Sequence, residues 1–111
     1  MNGRQIQEIV HREIGDAWDT ANLHGVNLRE ALVFPEPITV IERSVQAGNL
    51  ADRLVDAWVV LVEEAGAESG YRIVAAMDGS VFGLASEGFP ADKHLVLVGW
   101  YGDFLTTFRA M

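Results

Sequence analysis

The most chemically suggestive stretch of the sequence is Trp100-Tyr101-Gly102-Asp103, in which two large aromatic residues precede a glycine and a carboxylate. Trp and Tyr combine an apolar body with a polar group, which suits ligand pockets and interfaces. Aromatic rings beside a carboxylate can also hold an organic cation. Trp58 and Tyr71 fall on other predicted strands and are candidates for the same cavity, as is His94 at the start of the strand that ends in this stretch. The sequence therefore predicts a ligand site at this corner, while ordinary core packing is the alternative role for the same rings.

His94 and Asp103 form the second candidate for chemistry, because a histidine within reach of a carboxylate can transfer protons. With Asp92 they also make the best metal-ligand set, but three or four ligands must converge and no ligand spacing is present, so we expect no metal. The sequence contains no nucleophile elbow, no dinucleotide fingerprint and no phosphate loop. We therefore expect no cofactor and assign no catalytic residue.

Charge and cysteine content exclude several classes of function. Sixteen acidic and eight basic residues give a net charge of −8, which repels nucleic acid and anionic membranes. The same charge favours a cationic ligand or a basic protein partner. The absence of cysteine excludes disulfides, thiolate metal sites and cysteine nucleophiles. No apolar leader or membrane-spanning run is present, so we expect a cytoplasmic protein.

The elements that must position these residues begin with a helix. Apolar residues, Trp18 among them, recur at three- and four-residue spacings from Ile6 to Ala21 and form one face of this helix. His24-Gly25 is the predicted stop. Residues 37–47 are predicted as a second helix, because Pro37 suits a first helical position and Gly48 suits a position just past the end. The β-branched run from Ile38 to Ile41 makes a strand the rival interpretation.

The rest of the sequence predicts four strands and a final helix. Residues 57–63, 71–77, 80–86 and 94–101 are predicted strands, with loops at residues 66–70 and 87–93. Asp78-Gly79 predicts a two-residue hairpin turn in which both residues have positive φ. Asp103 is the predicted N-cap of a helix over residues 104–110. The expected fold is α+β in one domain, a four-stranded antiparallel meander carrying two N-terminal helices and a short C-terminal helix.

Residues 82–102, FGLASEGFPADKHLVLVGWYG, resemble uncharacterised small proteins carried on mobile gene cassettes of bacterial integrons. The resemblance covers about a fifth of the chain and includes no catalytic motif. It implies a bacterial accessory protein and assigns no residue a role.

Three hypotheses of function follow from these observations. The leading one is a non-enzymatic module that binds a small molecule, such as an organic cation, or a protein partner. The second is a small enzyme that uses His94 and Asp103, and the third is an acidic immunity-type inhibitor of a basic toxin. We also expect a homodimer, because the strands over residues 57–62 and 95–101 are apolar on both faces and a monomer leaves one face polar.

Overall fold

The computed structural model describes residues 1–22, 25–63, 70–87 and 94–111. The α+β class is confirmed, but within these residues the sheet is a closed barrel of five strands and not a four-stranded meander. None of the described helices is long and apolar enough to cross a membrane. The elements are α1 (Gly3–Ile14), α2 (Leu28–Ala31), β1 (Leu32–Gln46), β2 (Asn49–Val62), β3 (Arg72–Ala76), β4 (Phe82–Ser86), β5 (Leu95–Gly102) and α3 (Phe104–Ala110).

Consecutive strands pair antiparallel, from β1 through to β5. The barrel closes where β5 returns parallel to β1, at the pairs Val40–Leu95 and Ile41–Val96. Closure therefore depends on a short seam, while β1 and β2 pair along almost their whole length. Among the described residues, no third strand lies beside residues 49–56 of β2.

The helix predicted over residues 37–47 is wrong, and the rival interpretation as a strand is right. The β-branched residues from Ile38 to Ile41 pair directly with residues 54–57 of β2. Ala47 and Gly48, with φ of 52° and 79°, form the two-residue turn between the strands. Positive φ at Gly48 serves a helix C-cap and a hairpin turn equally well, so the glycine alone did not distinguish the two elements.

The first helix is shorter than its apolar periodicity predicts. It ends at Ile14, and Gly15 caps it with φ of 60°. Ala17 and Trp18 nevertheless pack against the core, through a turn in which the Ala17 N–H donates to the Ile14 carbonyl at 3.0 Å. The spacing therefore correctly indicated burial but overestimated the helix. The short helix α2 was not predicted.

The other predicted strands are observed with shifted ends, and β2 begins eight residues earlier than residue 57. Asp78-Gly79 does join two strands, but in a loop over residues 77–80 that is closed by the Ala76–Val81 hydrogen bond of 2.9 Å. Only Gly79 has positive φ there, so the two-residue turn is wrong. The α3 helix and its Asp103 cap are confirmed. The loops predicted at residues 66–70 and 87–93 lie mostly outside the described residues.

Two hydrophobic cores lie on opposite faces of the sheet. Inside the barrel the core is made mainly of small side chains, with Val40, Ala57, Val74, Ala85 and Leu97 at its centre. Outside, the three helices cover a larger core that contains Phe82, Phe104, Phe108, Trp58 and Ile6, among others. Both apolar faces of these strands are thus largely covered within one chain.

β-Bulges create the curvature that closes the barrel. Val60, Val98 and Tyr101 are extra residues without a directly paired partner, where the registers of β2–β3 and β4–β5 shift. Val60 packs in the helix-side core, and Val98 and Tyr101 are exposed. None of the three belongs to the inner core. An extra residue on one strand bends it and increases its twist, so the sheet curls around the small inner core.

Gly83 is where the inner core is tightest. A Cβ atom there would lie 2.5 Å from the Gly99 carbonyl oxygen and 2.9 Å from the Trp100 ring. We expect Gly83→Ala to lower the free energy of unfolding by about 2–3 kcal/mol, because overpacking a core costs roughly 1–3 kcal/mol. The control is Gly99→Ala, since a Cβ there would approach only the Tyr101 ring, at 3.7 Å. Urea unfolding measures the free energy of unfolding of both variants, and an equal decrease in the two would contradict the predicted close contact at Gly83.

Gly79 is constrained by its backbone and also by α1. It has φ of 73°, and an added Cβ would lie 2.6 Å from Ile9 Cδ1. Gly48 has a similar φ of 79° and nothing within 4 Å of that position. Gly79→Val should therefore lower the thermal unfolding temperature more than Gly48→Val does, because only the first adds overpacking to backbone strain. An equal effect of the two substitutions would show that α1 does not pack on this loop.

Candidate functional site

The two tryptophans of the predicted site lie on opposite faces of the sheet. Trp58 is buried in the helix-side core, and its Nε1–H donates to the Met77 carbonyl at 3.3 Å. Trp100 is half-buried inside the barrel, where it packs against the inner core. Because the sheet separates the rings, the structure does not bring Trp58 and Trp100 into one aromatic cavity.

The two tyrosines are exposed at different places. Tyr71 precedes β3, and its backbone N–H donates to Glu63 Oε2 at 2.7 Å. Tyr101 lies on the outside of β5, with its ring over Gly99. Neither ring belongs to the cores that hold the tryptophans. The six residues predicted to line one ligand site are therefore dispersed over the molecule.

His94 and Asp103 lie at opposite ends of β5. His94 precedes the eight-residue strand and Asp103 follows it. A strand advances by about 3.3 Å per residue, so roughly 20 Å or more separates the two side chains. They cannot form an acid/base pair within one chain in this arrangement. Among the described residues there is also no group of three metal-ligating side chains.

Asp103 has a structural role as the N-cap of α3. Its carboxylate accepts a hydrogen bond of 2.8 Å from the Thr106 backbone N–H and caps α3. Hydrogen bonds from the Thr106 side chain and backbone lower the pKa of Asp103. Glu13 of α1 accepts a 2.8 Å hydrogen bond from the Phe104 N–H, so α1 also holds this end of α3. The carboxylate of the predicted corner therefore anchors a helix.

A cleft of about 200 Å³ lies between α1, α2 and the start of β1. Its described lining is mostly apolar, with four side chains that carry hydrogen-bond donors and no carboxylate. The lining residues are Gln7, Val10, His11, Trp18, Arg29, Leu32, Val33, Phe34, Pro35 and Val60.

Trp18 forms one wall of this cleft and is held by two neighbours. The His11 ring meets it edge-on, with 4.8 Å between centroids. The Arg29 guanidinium lies 5.3 Å from the Trp18 ring centroid, within cation–π range. Arg29 also pairs with Asp19 at 3.2 Å, which compensates its charge. His11 and Arg29 thus hold the Trp18 ring in place beside the apolar lining residues Val10, Leu32 and Val60.

Phe34 and Pro35, at the start of β1, also line the cleft. Pairing with β2 is irregular between Leu32 and Glu36, and β5 reaches only Val40 and Ile41. Among the described residues, this part of β1 is an open strand edge. Pro35 and Pro37 lack backbone N–H groups, which limits the addition of another strand there. Phe34 is left 57% exposed.

Sequence reasoning missed this cleft because its parts are distant along the chain. Trp18 was assigned to the buried face of a long helix, and Phe34 fell between two predicted helices. Arg29 carried no local signal. The periodicity correctly indicated that Trp18 packs against the core. The helix ends before Trp18, however, so the turn after Gly15 and not a helix positions that ring.

Comparison with known proteins adds no evidence about the site, so its interpretation depends on the geometry. No family model, no curated protein and no solved structure matches the chain significantly. The resemblance to integron cassette proteins therefore stays a prediction.

The cap on α3 predicts a pH-dependent loss of stability. Replacing an N-cap carboxylate by alanine costs about 1 kcal/mol, so Asp103→Ala should lower the free energy of unfolding by about that amount at neutral pH. The folded-state pKa lies below its ordinary value of 3.8. The contribution is therefore complete above that value and is lost as the pH falls through the folded pKa.

Urea unfolding at neutral and acid pH measures this difference between native and variant chains. Asp103→Asn is the control, because asparagine caps about as well as aspartate. It should be nearly neutral at pH 7. An unchanged stability of Asp103→Ala at pH 7 would contradict the capping role.

Proposed function

We propose that the protein is a non-enzymatic binding module whose cleft receives one apolar side chain from a basic partner protein. The observation that carries this proposal is the cleft lined by both Trp18, which His11 and Arg29 contact, and the exposed Phe34. Its integron-cassette origin and cytoplasmic location stay predictions within this proposal.

The size of the cleft favours a side chain over a whole ligand. Pockets for small molecules usually have volumes of about 300–1,000 Å³. This cleft has about 200 Å³ and is open to solvent. Two of its lining residues, Phe34 and Val33, are 57% and 37% exposed, so the apolar surface is not confined to the interior of the cleft. Extra apolar surface around an anchor position is typical of protein interfaces, in which a few buried anchors dominate binding.

The polar groups of the cleft suit the backbone beside such an anchor. Gln7, His11 and Arg29 offer hydrogen-bond donors, which a carbonyl of the bound segment can accept. The net charge of −8 favours a basic partner, because opposite charge accelerates association. An inhibitor of a basic toxin is one form of this proposal.

A small organic acid is the second candidate, because Arg29 lines the cleft and no lining residue is acidic; such an acid would compete with Asp19 for the Arg29 guanidinium. The organic cation proposed for the Trp100–Asp103 corner has less support, since Asp103 caps α3 and the two tryptophans are on opposite faces. An enzyme based on His94 and Asp103 lacks support because the two residues lie at opposite ends of β5.

The test is an NMR titration of the indole N–H signals with three probes. N-acetyl-phenylalanine amide represents an anchor side chain, phenylacetate a small acid and phenethylamine a cation. We expect the amide to shift the Trp18 signal with a millimolar dissociation constant, about −4 kcal/mol. Trp58 and Trp100 lie in the two cores and should not shift, which makes them internal controls.

Two variants locate the response. Phe34→Ala should weaken amide binding severalfold, while Tyr71→Ala, which removes an exposed ring elsewhere, should leave it unchanged. A response to phenylacetate alone would favour the small acid. If no probe shifts the Trp18 signal, or if Phe34→Ala binds like the native chain, the proposed cleft is not a binding site.

A further inference from the structure

An apolar row crosses the outside of the sheet where the barrel closes. Ile41 pairs with Leu54 on β2 and with Val96 on β5, and directly paired residues lie on the same face. Val98 is the bulge residue that follows on β5. Leu54 and Val98 are 61% and 50% exposed. We call Ile41, Leu54, Val96 and Val98 the seam face.

Two of the four seam-face residues, Leu54 and Val98, are exposed, whereas Ile41 between them is buried and Val96 is half-buried. The helix-side core and the inner core include none of its four residues. The helix α1 packs on β1 and β2, and α3 packs on β4 and β5, yet Leu54 and Val98 keep half or more of their surface exposed. Adjacent apolar side chains left exposed on one surface commonly mark an interface.

The charges beside the seam face are arranged so that the surface complements itself. Arg43 on β1 and Asp52 on β2 are direct cross-strand partners, joined by hydrogen bonds of 2.8 and 3.0 Å. They lie on the same side as Ile41 and Leu54, two residues further along each strand. A two-fold axis parallel to the strands exchanges β1 and β2. It therefore sets the arginine of one copy over the aspartate of the other, and the exposed Leu54 over the position of the buried Ile41.

From this self-complementarity we infer that the seam face binds a second copy of this chain in a two-fold homodimer. Self-complementary surfaces are what a two-fold dimer requires. The net charge of −8 on each copy opposes association at long range, but physiological salt screens charges beyond about 8 Å. Burial of the exposed Leu54 and Val98 then supplies the attraction. The interface shares no residue with the cleft, so it does not depend on the proposed function.

Light scattering during gel filtration at physiological salt tests the dimer. At micromolar and higher concentrations the native chain should have twice the monomer mass of 12.2 kDa. Leu54→Glu should restore the monomer mass, and its thermal unfolding should remain cooperative because Leu54 is exposed. Met77→Glu is the matched control, since it adds the same charge at an exposed apolar residue outside the seam face and should stay dimeric.

Two arginines test the orientation of the copies. Arg43→Asp should raise the dimer dissociation constant tenfold or more. Arg53 forms a similar pair with Glu42 at 2.9 Å but lies on the opposite face of the strands, so Arg53→Asp should have little effect. A native chain that is monomeric throughout would overturn the inference. So would a dimer that Leu54→Glu leaves intact, or equal effects of the two arginine variants.

Discussion

Closure of the sheet around an inner core of small side chains is the constraint on which the rest of this structure depends. Gly83 leaves no room for a Cβ atom beside the Gly99 carbonyl, and Ala57 and Ala85 are fully buried nearby. Bulges in β2 and β5 bend the sheet enough for β5 to reach β1. Because only two pairs of the described residues form that junction, the tight packing inside the barrel must hold its two edges together.

Closure also decides what the large aromatic residues do. Trp100 partly fills the inside of the barrel, whereas Trp58 and three phenylalanines form the core beneath the helices. The chain leaves β5 at Gly102, and carboxylates of Asp103 and Glu13 satisfy the first N–H groups of α3. Unpaired N–H groups at a helix start need such acceptors. The segment Trp100–Asp103, whose sequence suggested a ligand site, therefore connects β5 to α3 and begins that helix.

Two apolar surfaces remain after this packing, and they differ in character. The cleft at Trp18 is concave and has donors at its margin, which suits insertion of a side chain. The seam face consists of strand residues with paired charges of both signs, which suits a second identical surface. Since the two share no residues, both can be occupied in one assembly.

Local signals in the sequence were sufficient for the α+β class, the strands β3 to β5 and the helix α3. Runs of β-branched residues and an aspartate before an apolar helix act within a few residues, so no distant contact is needed to interpret them. The predictions failed where one local signal fits two structures. Gly48 has the positive φ expected of a helix C-cap, yet pairing of residues 36–46 with residues 49–59 makes it a hairpin turn.

Only the tertiary structure decided the positions of the bulges, the closure of the barrel and the candidate site. A bulge at Val60 or Val98 reverses the alternation of a strand without any mark in its own sequence. The cleft joins Trp18, Arg29 and Phe34, which no spacing rule connects. Apolar periodicity showed that Trp18 is at least partly buried, but what the ring faces depends on the chain turning at Gly15 and on β1 running past it. Burial is a property of one segment, whereas a site is a relation between several segments that only folding brings together.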